Sequence, residues 1–560
     1  MMRSSIVRGA SGVGSRGPGK AWWLLWSVVV ACGSPRGGRG QAGPLSTSMS
    51  VGTQGVTDGD GDGAGEGSAT TGSSGPTGDD EDTGSAIVFD MGAIPDAGAS
   101  PTQAIPTTCD EAQDSATTVG CTFAAVDLDS HDDVETEQFA VVVSNPQEAA
   151  TATVTVEVGS VAGWVAVAGP VMVGPSQLHS FELPDRHQDD SGVYADGSYR
   201  ITSDVPIVAY QFNPVDGATS FLSDASMLYP QESWDHSYTA VTWRATDDDE
   251  PQGAYLSIVA AVDGTAVTVT PPVATMAGSG VPAGSPGVPF QVNLDEGDVA
   301  EVMTKAFGVA LTGTRIVSDE DHPIAVFTGH ECAWIPINTE ACDHLEEQLS
   351  SSRLWGSHYI ASRFPVRGTP AEPTVWHIIA AQDGTIVDID ADAGVTGLPP
   401  NGSLTLNAGQ VAELTVSGTA ADPGHFELQA DGPIGVFAYM VGANLVAGAA
   451  IGDPAVVQLS AVEQHLDHYG VLVPGTWEQD FAIITRPLGS TTNIDGVAVD
   501  DALFLPVAGS GFSVGFVPVD DGTHLVDGSA PFSIVITGFD QFDSYAYLGG
   551  TGAAVLHPEG

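Results

Sequence analysis

The chain has 560 residues and carries 71 acidic against 15 basic side chains, a formal net charge of −56. Such a surface repels phosphate backbones and argues against nucleic-acid binding. Hydrophobic residues still make up 42% of the sequence, which is enough for sizeable cores. The acidity therefore indicates a solvated surface on a folded protein rather than a disordered chain.

The N-terminus predicts export. An apolar run at 21–31 follows four cations, namely Arg3, Arg8, Arg16 and Lys20. The run is too short to span a bilayer comfortably. The run ends in VVAC and resembles a bacterial lipobox, so we predict a signal peptide at 1–31 and a lipid anchor on Cys32. Gly33 rather than Asp after the cysteine favours an outer-membrane, surface-exposed lipoprotein. The alternative is a plain secretory signal that is cleaved nearby.

Residues 32–106 are mostly Gly, Ser, Thr, Asp and Pro and predict a flexible tether that holds the folded part away from a membrane. Three aspartates in it match the opening of a calcium-binding EF-hand loop: Asp58, Asp60 and Asp62. The twelfth position is Ala69, and no flanking helix is visible, which favours the tether. We predict no cofactor, and calcium binding by the acidic surface stays open.

An internal repeat of roughly 105 to 120 residues organises the rest of the chain. Its first element is a pair of alternating apolar runs around a turn, at 139–156, 255–269, 376–389 and 481–499. Asp-Gly turns at Asp263 and Asp383 within these pairs predict β-hairpins.

Two further elements complete the repeat. The second is a strand, a turn and another strand opened by a proline, namely Pro206, Pro323, Pro433 or Pro531. The third is a long connection from an aspartate to a tyrosine, present in three copies: 224–238, 343–359 and 453–469. The pattern predicts an all-β fold of about four tandem antiparallel Ig-like β-sandwich modules, at 107–245, 246–365, 366–478 and 479–560. A propeller-like closed ring of the same repeats is the alternative.

The block from Thr328 to Tyr359 has the richest chemistry. His330, Cys332, Cys342 and His344 are all competent metal ligands, but the His-x-Cys and Cys-x-His spacing is too short for an ordinary zinc site. Outside the cytoplasm, close cysteines most simply form disulfides. We therefore predict the pairs Cys109–Cys121 and Cys332–Cys342, and no metal site.

Three catalytic patterns occur in part, and none is complete. The metalloprotease motif that begins at His330 and Glu331 has Trp334 where its second histidine belongs. The G-x-S-x-G match around Ser513 is followed by another strand-like run instead of a helix. Acid pairs such as Asp343 with Glu346 arise easily among 71 acids and carry little weight for glycosidase chemistry. We predict no catalytic residues.

Trp234, Trp355 and Trp477 recur near the ends of the long connections. Aromatic side chains on loops often anchor partners or sugars, so these three are candidate binding residues. The structural alternative, which we favour, is that each fills a contact between neighbouring modules.

The sequence resembles a known family in three places: GHECAWIPINTEACDHLEEQL at 329–349, W-G-x-x-Y at 355–359, and ITSDVPIVAYQFNP at 201–214. These are similar to the IgG-Fc-binding protein N-terminal domain family, over about Cys109 to Gly552. The resemblance implies a binding or adhesion role without catalytic residues. Animal members are secreted, mucus-associated proteins, and bacterial members look like surface lipoproteins with low-complexity tethers.

The sequence thus predicts a non-enzymatic cell-surface lipoprotein that displays a β-rich region for adhesion to a protein or glycan. One alternative is a secreted hydrolase that acts on glycans or proteins. Another is a structural component of an envelope or matrix.

Overall fold

The computed structural model describes residues 105–558 except 133, 216–221, 249, 340, 420–421 and 449–450. The predicted signal peptide, Cys32 and the tether up to residue 104 lie outside the described residues. Within them the chain forms strands that pair antiparallel throughout, which confirms the all-β prediction.

The strands form four β-sandwiches of two sheets each, numbered in chain order. Sandwich 1 contains β1 (Gly120–Ala125), β2 (Ala140–Ser144), β3 (Ala152–Val158), β4 (Val165–Val173), β5 (Leu178–Glu182), β7 (Tyr199–Asn213) and β8 (Asp224–Met227), while β6 (Gly192–Tyr194) joins a sheet of sandwich 2. Sandwich 2 contains β9 (Ser237–Thr239), β12 (Ala254–Ala260), β13 (Thr265–Thr270), β14 (Phe290–Leu294), β15 (Val299–Thr304), β16 (Arg315–Val317), β17 (Ile324–Ala333) and β18 (Asp343–Gln348), with a separate hairpin of β10 (Thr246–Asp248) and β11 (Glu250–Gln252).

The other two sandwiches repeat this order. Sandwich 3 contains β19 (His358–Ala361), β20 (Thr374–Ala380), β21 (Thr385–Ala391), β22 (Ser403–Leu406), β23 (Val411–Val416), β24 (Phe426–Ala430), β25 (Ile434–Tyr439) and β26 (Val456–Gln458). Sandwich 4 contains β27 (Leu466–Val473), β28 (Gln479–Pro487), β29 (Thr492–Ile494), β30 (Val497–Ala498), β31 (Phe504–Pro506), β32 (Phe512–Pro518), β33 (Gly522–Asp540) and β34 (Asp543–Leu548). The first strands β9, β19 and β27 lie before the boundaries at 246, 366 and 479 that the sequence suggested.

Helical segments in the described part are short. They are α1 (Cys109–Asp114) and the 3₁₀ turns Gln231–Ser233, Ser352–Leu354, Ala443–Leu445, Val462–Gln464 and Asp501–Leu503. The Thr108 side chain caps α1 by accepting the N–H of Glu111. None of the helices among the described residues has the length and apolar character needed to cross a membrane.

The predicted Asp-Gly hairpins are wrong. β12 pairs with β15 and β17 in one sheet, whereas β13 pairs with β14 and β16 in the opposite sheet. The favoured hairpin turn needs positive φ at both central residues, but only Gly264 (φ 75°) has it and Asp263 does not. The turn therefore carries the chain from one sheet of the sandwich to the other, and the turn at Asp383–Gly384 does the same between β20 and β21.

The proline-opened element takes two forms. In sandwiches 2 and 3 it is two strands, one before and one after the turn that contains Pro323 or Pro433. In sandwiches 1 and 4 a single long strand, β7 or β33, continues through Pro206 or Pro531 and pairs in both sheets. The predicted turn is thus replaced by a continuous strand in these two sandwiches.

The tyrosine that ends each long connection has a structural role. Its buried hydroxyl donates to the carbonyl of the residue after the strand-opening proline, in the pairs Tyr238–Ile324 (2.8 Å), Tyr359–Ile434 (2.7 Å) and Tyr469–Phe532 (2.5 Å). In sandwich 1 the position equivalent to these tyrosines is held by Phe123. Phe123 pairs with Ile201 in β7, as Tyr238 pairs with Ile316 in β16. Without a hydroxyl, this position was not apparent from the sequence.

The four sandwiches close into a ring. Their last strands meet at its centre, where β8 contacts β18 and β34, and β26 contacts the same two strands. The predicted sandwiches are confirmed, and they pack around this centre as in the closed-ring alternative.

Aromatic side chains fill the contacts between neighbouring sandwiches, here called seams. In the 4–1 seam, Phe212 of β7 meets Trp477, Tyr545 and Tyr547 of sandwich 4, with ring centroids 6.1 to 6.5 Å apart. In the 2–3 seam, Trp243 stacks on His377 at 5.3 Å. The cores of adjacent sandwiches are therefore continuous across these seams.

Candidate functional site

The ring centre is lined by carboxyl groups. An aspartate lies at or just before the start of each last strand, and all four are almost completely buried: Asp224, Asp343, Asp453 and Asp543. The first three are the residues that open the long connections of the repeat, and Asp543 is the fourth member. The recurring aspartate was visible in the sequence, but its convergence on one point was not.

Asp224 connects all four sandwiches. Its Oδ1 accepts the N–H of Ala225 (2.9 Å) and of Ala546 in β34 (3.3 Å). Its Oδ2 accepts the N–H of Glu346 in β18 and of Val456 just at the start of β26, both at 3.3 Å. One carboxylate thus binds backbone donors from every last strand of the ring.

Burial dominates the chemistry of this centre. It raises the pKa of Asp343 well above its usual range, and the nearby charges of Asp543, Asp453 and Asp224 add to the effect. Burial also raises the pKa of Asp453 to about 7, although the hydrogen bond from the Ala443 N–H and the charge of Arg367 act to lower it. These carboxyl groups are buried away from solvent, so we assign them a structural role in the ring centre. No three His, Cys, Asp or Glu side chains in the described part of the chain are arranged to hold a metal ion.

The cysteine-bearing block is also structural. Both predicted disulfides are confirmed, Cys109–Cys121 and Cys332–Cys342. His330 is fully buried: its Nδ1 accepts the N–H of Cys332 (3.0 Å), and its Nε2 donates to the Arg244 carbonyl (2.9 Å). Burial lowers the pKa of His330 to about 3, so the ring stays neutral.

The other candidate catalytic residues lie within strands. His344, Asp343 and Glu346 belong to β18, and all three are fully buried. Ser513 lies inside β32, where it pairs with Arg486 of β28, so it has no sharp strand-to-helix turn to expose its hydroxyl.

The three predicted tryptophans have different environments. Trp355 is 1% exposed and packs so closely on Gly435 that a Cβ there would lie 2.9 Å from the indole. Trp477 is 5% exposed, and its Nε1 donates to Asp543 (2.8 Å). Both lie in seams, in agreement with the structural alternative. Trp234 alone of the three is half-buried, and its Nε1 donates to the Tyr229 carbonyl.

Trp234 adjoins a tryptophan that the sequence reasoning missed. Trp164, also half-buried, lines the same shallow depression in the 1–2 seam. Its Nε1 donates to Glu296 of sandwich 2 (3.1 Å), and the Arg200 guanidinium lies 4.1 Å above its ring. The feature of the sequence that could have pointed to Trp164 is the uncharged run that contains it.

That run forms the most unusual surface of the molecule. From Val158 to Phe181 there is no Asp, Glu, Lys or Arg, although the whole chain carries 86 such residues, and β4 lies inside this stretch. β4 pairs with β3 on one side only. Six of the nine residues of β4 are exposed. The exposed large apolar side chains in β4, before it and at the start of β5 have these relative exposures: Val161 110%, Val165 48%, Val167 38%, Met172 75% and Leu178 39%. We call these five residues the apolar edge.

The edge strands equivalent to β4 are β14 in sandwich 2, β22 in sandwich 3 and β30 in sandwich 4, and each of them also pairs on one side only. The strands β6 and β31 cover β15 and β32, which are equivalent to β5. β4 is the longest of the four edge strands, with nine residues against five, four and two. It therefore offers the longest unpaired edge in the ring.

Cavities occur along the seams as well. A cavity of about 590 Å³ in the 4–1 seam lies between the β2–β3 connection and β27. Its polar lining includes Glu148, Asp527 and His468, and the His468 Nδ1 lies 2.7 Å from the Asp527 carboxylate. A second cavity in the same seam, about 330 Å³, is lined by Val142, Phe212 and Leu472.

A ring of sandwiches with buried acids and histidines, and with an accessible apolar edge, has the features of a β-rich binding protein. The family model described as IgGFc binding protein matches residues 224–538, more than half of the chain, and the chain belongs to this family. The predicted family is thereby confirmed, although the matched residues are fewer than the 109–552 that the motifs suggested.

The chain is also similar to the human (Homo sapiens) IgGFc-binding protein, with 26% identity over 309 residues. That match covers 54% of this chain and 5% of the human protein, so the chain spans a small part of this relative. No solved structure matches the chain. The family match begins at Asp224 and therefore leaves out β1 to β7 and the apolar edge.

Proposed function

We propose that this chain is a non-enzymatic lipoprotein displayed at the cell surface, where its ring binds a protein partner in adhesion. The observation that carries the proposal is the apolar edge, an exposed and uncharged surface on an otherwise acidic protein. Exposed apolar side chains on an otherwise charged surface are typical of protein interaction sites. The sequence also suggested a glycan ligand. The apolar edge presents mainly aliphatic side chains, which favours a protein partner over a glycan.

Display at the surface is supported by the N-terminal sequence. The signal at 1–31, the lipobox cysteine Cys32 and the acidic tether would place the ring outside the outer membrane. The test is fractionation of cells that produce the full chain or its Cys32→Ser variant. We expect fatty-acid labelling and membrane association of the parent chain only. Equal labelling of the variant would contradict the anchor.

Binding is tested with the full chain on arrays of extracellular proteins and glycans. The double variant Val165→Lys/Met172→Lys places two charges on the apolar edge. The matched control, Leu488→Lys/Val497→Lys, places two charges on exposed apolar positions of sandwich 4, which are 55% and 70% exposed. We expect saturable binding to a protein that the first variant loses and the control keeps. No binding on any array, or equal loss in both variants, would contradict the proposal.

A further inference from the structure

A second binding site lies in the 2–3 seam, around an arginine of sandwich 2. We infer that Arg315 and the cavity beside it bind a saccharide that carries a carboxylate. This inference goes beyond the proposed function, because none of the residues that line this cavity belongs to the apolar edge.

Arg315 is an exception among the cations of the ring. The described part of the chain contains eight arginines and one lysine, and there the side chain of Arg315 alone has neither a hydrogen bond nor an ion pair. Arg186 donates to the Asp196 carbonyl. The others form ion pairs with carboxylates: Arg200, Arg244, Lys305, Arg353, Arg363, Arg367 and Arg486. A chain with 71 acidic residues thus leaves this exposed guanidinium free for an anion from outside.

The sheet places Arg315 beside hydroxyl groups. Arg315 in β16 pairs directly with Thr239 of β9, and Ser237 lies two residues before Thr239. Because successive side chains of a strand point to opposite faces, these three share one face of the sheet. Tyr238 and Ile316, which alternate with them, are buried in the core. The outer face therefore presents a guanidinium and two hydroxyls together.

This face borders a cavity of about 250 Å³ between the two sandwiches. Sandwich 3 contributes Ala381 from the β20–β21 turn and Ala408 and Gly409 from the β22–β23 turn. Gly409 approaches Gly313 of sandwich 2 so closely that a Cβ on Gly313 would lie 2.6 Å from the Gly409 carbonyl oxygen. The cavity is therefore built by both sandwiches, whose backbones meet at its wall.

The charge of the lining indicates which anion the cavity accepts. Arg315 is the charged group of the lining, which contains no acidic residue. A guanidinium can bind a carboxylate through two parallel hydrogen bonds. The net charge of −56 disfavours ligands with many negative charges, such as phosphate polymers. A single carboxylate is therefore the anion that fits best.

The rest of the cavity favours a sugar over an acidic side chain of a protein. Its volume has room for several water molecules, so a carboxylate fills only part of it. The hydroxyls of Ser237, Thr239 and Ser352 can each donate and accept hydrogen bonds. A sugar acid offers a carboxylate to Arg315 and hydroxyls to these side chains, so it uses both parts of the site.

The experiment is ligand-observed NMR with the full chain and single sugars up to roughly 50 mM at constant ionic strength, because so small a ligand binds weakly. The probes are glucuronate, galacturonate and N-acetylneuraminate. Glucose and acetate are the matched controls, since glucose lacks the carboxylate and acetate lacks the hydroxyls. We expect saturable binding of at least one sugar acid and much weaker binding of both controls.

Variants of the chain test the assigned residues. Arg315→Gln should weaken binding of the sugar acid about ten- to hundredfold, because it removes charge-assisted hydrogen bonds. Its melting temperature should equal that of the parent chain, since Arg315 has no side-chain partner in the described part. Ala408→Glu should also lose binding, because it places an acid in the lining of the cavity. The control Arg39→Gln removes the same charge in the predicted tether and should bind like the parent chain.

Several results would overturn the inference. These are no binding by any of the three sugar acids, equal binding of glucose or acetate, and unchanged affinity in Arg315→Gln. A blocked glutamyl peptide that binds more tightly than every sugar acid would show that the site takes a protein side chain instead. None of these results bears on the proposed function, which the variants of the apolar edge test separately.

Discussion

The Asp224 carboxylate accepts the backbone N–H of Ala546 at 3.3 Å across 322 residues of sequence. Asp224 opens the last strand of the first sandwich, and Ala546 lies in the last strand of the fourth. This bond closes the ring, because the same carboxylate also binds N–H groups of the last strands of sandwiches 2 and 3. The stability of the closed ring should therefore depend on this one side chain.

We expect Asp224→Asn to destabilise the ring. An asparagine has one acceptor oxygen in place of two, so at least one of the buried N–H groups loses its partner. Each buried donor without a partner costs about 1–3 kcal/mol. The midpoint of urea unfolding should fall, whereas the exposed control Asp388→Asn should leave it unchanged. Equal midpoints for the two variants would contradict the role of Asp224.

Asp453 should make stability depend on pH in a defined direction. Burial raises its pKa from 3.8 to about 7, so the folded chain keeps a proton that the unfolded chain releases. This contribution to stability is present below pH 3.8 and is lost as the pH rises to about 7. Asp453→Asn removes the titration. We expect the variant to gain stability relative to the parent chain between pH 4 and pH 8, by an amount on the order of a few kcal/mol.

The comparison between variant and parent chain is needed because other groups titrate in the opposite direction. Burial lowers the pKa of His330 and His344 to about 3, so their contribution is lost as the pH falls from 6.5 towards 3. Urea unfolding of both chains at pH 4 and pH 8 measures the difference for Asp453 alone. A difference that does not change with pH would show that Asp453 ionises normally in the ring.

The tyrosine hydroxyls should stabilise the first strands of sandwiches 2 to 4. Tyr359 accepts the N–H of Gly356 at 3.1 Å and donates to the Ile434 carbonyl. Tyr359→Phe removes both bonds at a cost of about 1–3 kcal/mol. We expect faster hydrogen exchange at the Gly356 amide and a lower midpoint of thermal unfolding. Unchanged exchange at Gly356 would count against this role.

The Cys332–Cys342 disulfide closes a short loop beside the ring centre, with a sequence separation of 10. Its removal in Cys332→Ala/Cys342→Ala should lower the free energy of unfolding by about 2–4 kcal/mol. Binding on the arrays should persist, because the apolar edge belongs to another sandwich. Loss of binding with the fold intact, measured by circular dichroism, would place this loop in the binding surface instead.

Much of the architecture was readable from local patterns. Period-two apolar runs, turn residues and strand-opening prolines gave the strands and the number of sandwiches, because these signals depend on residues close in sequence. The pairing of the strands was not readable. Both runs around Asp263 alternate as hairpin strands do, and only the turn conformation placed them in opposite sheets.

The candidate site shows the same division. The uncharged stretch 158–181 was present in the sequence, but alternating apolar residues in a strand usually face a core. Exposure is decided by what covers a strand. β4 has no strand on its outer side, whereas the outer side of β15 is covered by β6, which lies far earlier in the chain.

The sequence by itself determined the strand content, the fourfold repeat, both disulfides and the family, because each rests on residue type and short-range spacing. Only the tertiary structure decided that the four sandwiches form a ring. It also decided that Asp224, Asp343, Asp453 and Asp543 share the centre and that the apolar side chains of β4 stay exposed. The physical reason is that long-range backbone hydrogen bonds and burial depend on which distant segments meet, and the repeat period does not encode that.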